Sequence, residues 1–242
     1  MIWAISQGIR MNDKIRGFIL AQNDYKEADV LMQVLTKEYG ILSLVARSAK
    51  KTSSRNHFLS MCLYEFIIDY KEGKTMYTVH GSKLLSSYFE DKDVEMMSFK
   101  NILIELTLKN RDIDTFDELC FVFSHLNREN RYLLGNLYLS YILKQFGIMP
   151  HVDSCALCQN RKVVAISARH GGFLCLNHVD TEEILPVDVL KKFRLMVKAS
   201  FANYDVIRDF VFDFRDFSLL MDFYLINSDQ YLKTYEFYKT IC

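Results

Sequence analysis

The first eighty residues alternate between short apolar segments and polar turns, a pattern typical of antiparallel β-structure. Within residues 61–70, Cys62 and Phe66 share one face, whereas Glu65 and Asp69 lie on the other. We predict strands at residues 18–22, 30–35, 41–48, 61–70 and 75–80. Five short strands suit a small antiparallel barrel, and the OB-fold is the five-stranded form of such a barrel.

After Gly81 the spacing of the apolar residues becomes helical. We predict helices at residues 94–108, 116–126 and 131–146, and a fourth that begins at Pro186. The third is apolar almost all round, which indicates a buried central helix, and Gly147 and Pro150 end it. The aromatic-rich stretch after Arg208 has helical spacing and is interpreted as core. The sequence thus predicts an α+β protein, with an OB-fold domain at residues 1–80 and a helical domain at residues 81–242.

Composition and charge exclude several classes of protein. Half of the 242 residues are hydrophobic, and 30 basic residues balance 30 acidic ones, so the chain as a whole is not a polycationic nucleic-acid binder. The longest uncharged stretch, residues 132–143, is shorter than the roughly 20 residues that a spanning helix needs. The N-terminus lacks the basic region of a signal peptide, and Met11 is an alternative start. We therefore expect a cytoplasmic protein that makes no membrane contact.

Three of the six cysteines cluster with a histidine in a pattern typical of a metal site. The ligand candidates are Cys155, Cys158, Cys175 and His178, which form a C-x2-C pair, a gap of sixteen residues and a C-x2-H pair. Each two-residue gap lets both side chains of a tight turn face one ion, and two such turns complete a tetrahedron of soft ligands. The spacing predicts one zinc ion in a small module at about residues 150–180.

Four protein ligands leave no coordination position for water, so the predicted zinc is structural. His151 and His170 compete for the fourth position, but His178 repeats the two-residue gap. Gly171 and Gly172 are expected to give the second turn its backbone freedom.

The sequence lacks the common catalytic signatures. None of the six histidines begins the H-x-E motif of the zinc deaminases, and the H-E-x-x-H, G-x-S-x-G and G-x-G-x-x-G motifs are absent. A zinc-dependent enzyme would need an acid and a base near the metal, for which Asp153 and Asp180 are the local candidates. The sequence therefore predicts a protein that is not an enzyme.

A local excess of positive charge lies in the barrel half of the chain. Residues 41–55 contain Arg47, Lys50, Lys51 and Arg55 and no acidic residue. Arg16 is expected to add to the same surface from the first strand. On an OB-fold, such a basic edge favours contact with a nucleic-acid backbone, although a solvated loop is the simpler interpretation.

Several segments together resemble the RecO family of DNA repair proteins. These segments are residues 17–20 (GFIL), 24–29 (DYKEAD), 35–40 (LTKEYG), 45–51 (VARSAKK) and 171–175 (GGFLC). They occur in the family's order over nearly the whole chain, and the paired zinc ligands match the family's second half. His178 stands where many relatives have cysteine.

The resemblance implies an OB-fold domain, a helical domain with a zinc module and the role of a bacterial recombination mediator. Such proteins bind single- and double-stranded DNA, anneal complementary strands and help to load recombinase onto DNA coated by single-stranded DNA-binding protein. The resemblance also implies that the acidic C-terminal tail of the single-stranded DNA-binding protein (the coat protein) docks on the helical domain, and that RecR is a further partner. The candidate cations for that tail are Arg131, Lys144, Lys191 and Arg194. The alternatives are a zinc-dependent nucleic-acid-processing enzyme, or an OB-fold and zinc module of transcription or translation.

Overall fold

The computed structural model describes residues 13–51, 58–89 and 93–242, and the chain divides into two units, Met1–Asp91 and Lys92–Cys242. The first unit contains five strands and the second contains the helices and a two-stranded ribbon. The predicted domain boundary at residue 80 falls inside a strand that continues to Ser87. Among the described residues, no helix combines the length and the apolar character needed to cross a membrane.

The first unit is a closed barrel in which the strands follow the order β1-β2-β3-β5-β4. The strands are β1 (Asp13–Tyr25), β2 (Asp29–Thr36), β3 (Gly40–Ala46), β4 (Cys62–Ile68) and β5 (Tyr77–Ser87). All neighbouring strands are antiparallel except β3 and β5, which are parallel. This is the predicted OB-fold.

The barrel closes because β1 pairs with two partners. Its first half pairs with β4 and its second half with β2, and the register shifts between Ile19 and Ala21. Such a bulge bends a strand and increases its twist, so one long strand can serve both sides of a small barrel. The predicted alternation in β4 is confirmed, since Cys62 and Phe66 are buried in the barrel core while Glu65 is partly exposed.

The second unit is built from α1 (Val94–Lys109), α2 (Phe116–His125), α3 (Arg131–Phe146), α4 (Val187–Lys198), α5 (Tyr204–Ile207), α6 (Phe214–Ser228) and α7 (Lys233–Tyr238). Helix α3 is the buried central helix that the sequence predicts, and it ends at Gly147 in the left-handed conformation (φ 71°). Gly135 lets α1 and α6 approach α3, because a Cβ atom there would lie 2.6 Å from a ring atom of Phe99.

The aromatic residues after Arg208 serve mainly as core, as predicted. Phe217, Tyr224, Tyr235 and Tyr238 are fully buried. Helix α7 is fixed to α1 by Glu105, whose carboxylate accepts hydrogen bonds from the backbone N–H and the hydroxyl of Thr234 at 2.8 and 2.6 Å.

Candidate metal centre and nucleic-acid interface

The predicted zinc module of the second unit consists of two candidate ligand turns and a ribbon formed by β6 (Val163–Ser167) and β7 (Gly172–Cys175). The first turn is closed by two backbone hydrogen bonds, from Cys155 N–H to the carbonyl of Asn160 (2.8 Å) and from Gln159 N–H to the carbonyl of Cys155 (2.9 Å). Gln159 takes a positive φ of 63°, which reverses the chain directly after the second thiol. The second turn is a single 3-10 turn, Leu176–His178, that follows β7.

The two turns bring the four predicted ligands together, with their ligand atoms all within 4.8 Å of one another. The sulfurs of Cys158 and Cys175 are 3.6 Å apart, and Nδ1 of His178 lies 3.5 Å from the Cys155 sulfur and 3.4 Å from the Cys175 sulfur. With Zn–S bonds of about 2.3 Å and Zn–N bonds of about 2.0 Å, a regular tetrahedron separates two sulfurs by about 3.8 Å and a sulfur from a nitrogen by about 3.5 Å. The arrangement therefore fits a tetrahedral ion with three thiolates and one imidazole.

The backbone around Cys155 favours the thiolate that a metal requires. Burial acts to raise the pKa of this thiol, but the N–H groups of Cys175, Leu157 and Cys158 outweigh burial and lower the pKa to about 6. Cys155 and Cys175 are buried, whereas Cys158 is exposed. A Cys3His group is a closed coordination set that could hold a metal ion.

The competing histidines have other partners. Nε2 of His151 lies 2.8 Å from the hydroxyl of Ser154, and Nδ1 of His170 lies 3.0 Å from the hydroxyl of Ser167. Glu182 also contacts His170. Hydrogen bonds to its carboxylate, first from the Ser167 hydroxyl and then from the backbone, outweigh its partial burial and lower the pKa of the carboxyl to about 2.

The prediction that the two glycines shape the second ligand turn is wrong, because they lie elsewhere in the module. Gly171 and Gly172 lie at the β6–β7 hairpin, at the opposite end of β7 from the second ligand turn. Gly172 has a φ of 152°, and a Cβ atom there would lie 2.2 Å from the backbone oxygen of His151. The glycine is needed because the chain before the first ligand turn pairs directly against it.

Asp153, one of the two candidate acid–base residues, is held in ion pairs. Its Oδ1 accepts hydrogen bonds from Arg194 at 2.6 Å and from Lys198 at 2.5 Å. These cations, with the Lys198 hydrogen bond as the largest effect, hold the pKa of the Asp153 carboxyl below its ordinary value. A carboxylate held ionised by two cations is poorly suited to donate a proton at neutral pH.

The predicted basic edge of the barrel lies mainly in the loop after β3. Arg47, Lys50 and Lys51 are exposed there, while Arg55 falls outside the described residues. Lys50 forms an ion pair with Asp24 at 2.7 Å, so part of its charge is neutralised. Arg47 and Lys51 form no such pair with a described residue.

Arg16 does not join this surface. It lies opposite Glu65 on the β1–β4 side of the barrel. Strand β2 separates β1 from β3. Gly17, the neighbour of Arg16, pairs with Thr36, which in turn pairs with Gly40 at the start of β3. Arg47 follows the opposite end of β3. The structure therefore brings together three of the five predicted contacts and places Arg16 elsewhere.

Two further side chains, which the sequence does not single out, share a depression with Arg47: the cation of Lys74 and the imidazole of His80. Lys74 and His80 line it, together with Asp69, whose Oδ2 lies 3.0 Å from Nε2 of His80. The parallel pairing of β3 with β5 brings these residues beside Arg47. Strand periodicity does not predict which strands are neighbours, so no local pattern indicates that these residues lie beside Arg47.

Comparison with known families covers both units. The N-terminal model of Recombination protein O matches residues 11–88, and the C-terminal model of the same protein matches residues 92–207. The chain belongs to the RecO family. All four metal-ligand candidates lie within the second match.

The relatives of this RecO family member include named repair proteins of similar length. DNA repair protein RecO of Bacillus cytotoxicus is 28% identical over 182 residues, which cover 71% of this chain and 73% of the relative. The Bacillus mycoides protein of the same name has the same identity and coverage, and that of Bacillus cereus strain AH187 is 27% identical over 183 residues. RecO membership confirms the resemblance noted in the sequence and supports a role in DNA repair and recombination rather than in transcription or translation.

Proposed function

We propose that this protein is a non-catalytic recombination mediator that binds single- and double-stranded DNA and anneals complementary strands. In this role it helps to load recombinase onto DNA coated by single-stranded DNA-binding protein, and RecR is a further partner. The proposal rests on RecO membership together with one structural observation, the exposed cations beside the β3–β5 seam of an OB-fold barrel. One structural zinc ion, held by Cys155, Cys158, Cys175 and His178, stabilises the second unit.

Phosphate contact is the proposed task of the basic loop after β3. Arg47 and Lys51 present their charges to solvent, and Lys74 extends the positive surface along the same depression as Arg47. Contacts of this kind release counterions from the DNA, so they give affinity without sequence preference and make binding sensitive to salt. Lys50 and Arg55 are proposed as further contacts, and Arg16 as a separate one on the β1 face.

The salt dependence of single-strand binding tests this role. Two phosphate contacts contribute about 1.4 to the log–log salt slope, at roughly 0.7 each, or about a sevenfold loss of affinity between 50 and 200 mM salt. The double variant Arg47→Ala/Lys51→Ala should lose that part of the slope when binding of a labelled oligonucleotide is followed by fluorescence anisotropy. Lys109→Ala/Lys233→Ala, which removes two exposed lysines of the second unit, is the matched control. Equal slopes in both variants would place the DNA path elsewhere.

We propose that the acidic tail of the single-stranded DNA-binding protein binds in a groove of the second unit. The groove is about 730 Å³ in volume, and apolar side chains of Leu137, Met149 and Phe201 line it beside the ammonium-bearing Lys144. An acidic tail with an apolar end needs a cation next to an apolar pocket.

The other candidate cations for the tail have different surroundings. Arg131 donates to Glu95 at 2.5 Å and to Tyr238 at 3.2 Å, so it belongs to the core of the unit. Arg194 is paired with Asp153, and Lys191 is not among the residues that line the groove. Lys144 is therefore the proposed contact for the tail.

A zinc-dependent nucleic-acid enzyme is the alternative function. It would require an open metal position and a nearby proton donor. The four assembled ligands and the ion-paired state of Asp153 both favour the mediator instead. Incubation of the protein with single- and double-stranded DNA and zinc distinguishes the two, because only the enzyme would yield cut or modified strands.

A further inference from the structure

The metal end of the zinc module presents two apolar side chains to solvent. Leu157 lies in the first ligand turn and is 52% exposed, and Leu176 lies in the second and is 66% exposed. Neither belongs to the small core of the module around Ala165 and Leu174. Single exposed leucines are common on protein surfaces, but two on adjoining turns of one metal site form a pair that internal packing does not explain.

Two cations adjoin this apolar pair. Strands β6 and β7 pair at Val163 and Cys175, so Lys162 and Leu176 each directly adjoin the last residue pair of the ribbon. Arg161 precedes Lys162, directly after the closed first turn that carries Leu157. Arg161 and Lys162 are exposed, and neither forms an ion pair with any residue that the structure describes.

We propose that this metal-end surface, formed by Leu157, Arg161, Lys162 and Leu176, binds a single-stranded nucleic acid. The two cations contact phosphates, and the leucines cover the faces of unpaired bases. None of the four side chains is acidic, so the surface is complementary to an anionic chain that also has apolar area. A duplex stacks its bases inside the helix, so only a single strand gains from the leucines. The two leucines lie in the ligand turns, which a bound metal would hold in place, and this would lower the entropic cost of binding.

The inference rests on the proposed function and adds a second DNA site to it. Annealing requires two strands to be held at the same time, whereas the basic loop of the barrel accounts for one. A second site in the other unit lets one protein molecule hold both strands. The surface is separate from the tail groove around Lys144, since none of its four residues lines that groove.

A bridging assay tests the second site with the full-length protein. A polythymidine oligonucleotide is immobilised and loaded with protein, and capture of a second, fluorescent polythymidine strand is then measured. The two strands cannot pair, so the protein alone connects them. The wild type should capture the second strand.

Two pairs of substitutions in the surface should reduce capture while binding of the first strand persists. Leu157→Ser/Leu176→Ser should reduce capture about fivefold. This figure assumes that the variant no longer buries on the order of 40 Å² of apolar area against the bases, at about 25 cal/mol per Å². Arg161→Ala/Lys162→Ala should lower the salt slope of capture by about 1.4. Zinc content and thermal stability should equal those of the wild type in both variants.

Matched controls separate the surface from general apolar or charge effects. Val206→Ser/Val211→Ser removes two valines that are 74% and 77% exposed elsewhere in the second unit. Arg169→Ala removes a cation from the hairpin at the opposite end of the ribbon. Both controls should capture the second strand as the wild type does.

The possible results are distinguishable. If the surface variants capture like the controls while the wild type binds and anneals DNA, the second site is wrong and the proposed function stands. If the variants lose binding of an acidic peptide and keep strand capture, the surface is a protein-docking site, which also overturns the inference. If the wild type does not bind even the first strand, the proposed function itself fails.

Discussion

Replacement of Cys158 by serine removes the exposed ligand of the Cys3His group and leaves the buried ligands in place. The hydroxyl is a far weaker ligand for zinc than a thiolate, so we expect Cys158→Ser to lose the ion. Because the core of the module contains few residues besides the ligands themselves, loss of the metal should open the module.

The size of the effect follows from the contact between the module and α4. The rings of Phe173 and Phe193 lie 5.9 Å apart, and both residues are at most 4% exposed. Exposure of one such phenylalanine costs about 2–3 kcal/mol. In a unit of about 150 residues, each kcal/mol shifts the melting temperature by about 2–4 °C, so Cys158→Ser should lower it by about 4–12 °C.

Metal analysis and differential scanning calorimetry on the same preparations measure both consequences. The wild type should contain one zinc per chain, and Cys158→Ser should contain much less. Cys242→Ser is the control, because Cys242 lies outside the metal group and serine preserves its donor to the carbonyl of Tyr238. A Cys158→Ser protein with one tightly bound zinc and the melting temperature of the wild type would refute the reasoning, as would a wild type without metal.

Two further predictions concern the supports of the module. Gly172→Ala places a Cβ atom 2.2 Å from the backbone oxygen of His151, so it should lower the melting temperature and the zinc content. The control is Gly40→Ala, which is also at a positive φ but has no atom within 4 Å of the added Cβ, and which should keep its zinc. The pKa of Glu182 is lowered from its ordinary 4.5 to about 2, so its contribution to stability is complete above pH 4.5 and is lost as the pH falls towards 2. Urea unfolding over this range should depend less on pH in Glu182→Gln, and an unchanged pH dependence would contradict that role.

Short-range patterns allowed most of the candidate metal site to be predicted from the sequence. The ligands lie in two turns of four residues each, and a two-residue gap already determines that both side chains of a turn face one point. The choice of His178 over His151 and His170 followed from the same spacing and agrees with the assembled group. Alternation likewise identified the buried face of β4, because side-chain direction in a strand has a period of two.

Features that depend on long-range pairing could not be predicted. Alternation shows which face of a strand is buried but not which strands are neighbours, so the parallel β3–β5 contact that places Lys74 and His80 beside Arg47 carried no local signal. For the same reason Arg16 was expected on a surface from which β2 separates it. The role of Gly172 required knowledge that the backbone of His151 lies against it.

The central claim is that this protein promotes the pairing of complementary strands and does not cut or modify DNA. The most direct test of this claim is the annealing of complementary strands that are coated with single-stranded DNA-binding protein. Fluorescently labelled strands are covered with single-stranded DNA-binding protein, and duplex formation is followed without nucleotide. We predict that the protein accelerates annealing, that deletion of the coat protein's acidic tail abolishes the acceleration, and that all strands remain intact. Failure to accelerate annealing of either coated or naked strands, or the appearance of cut or modified DNA, would contradict the claim.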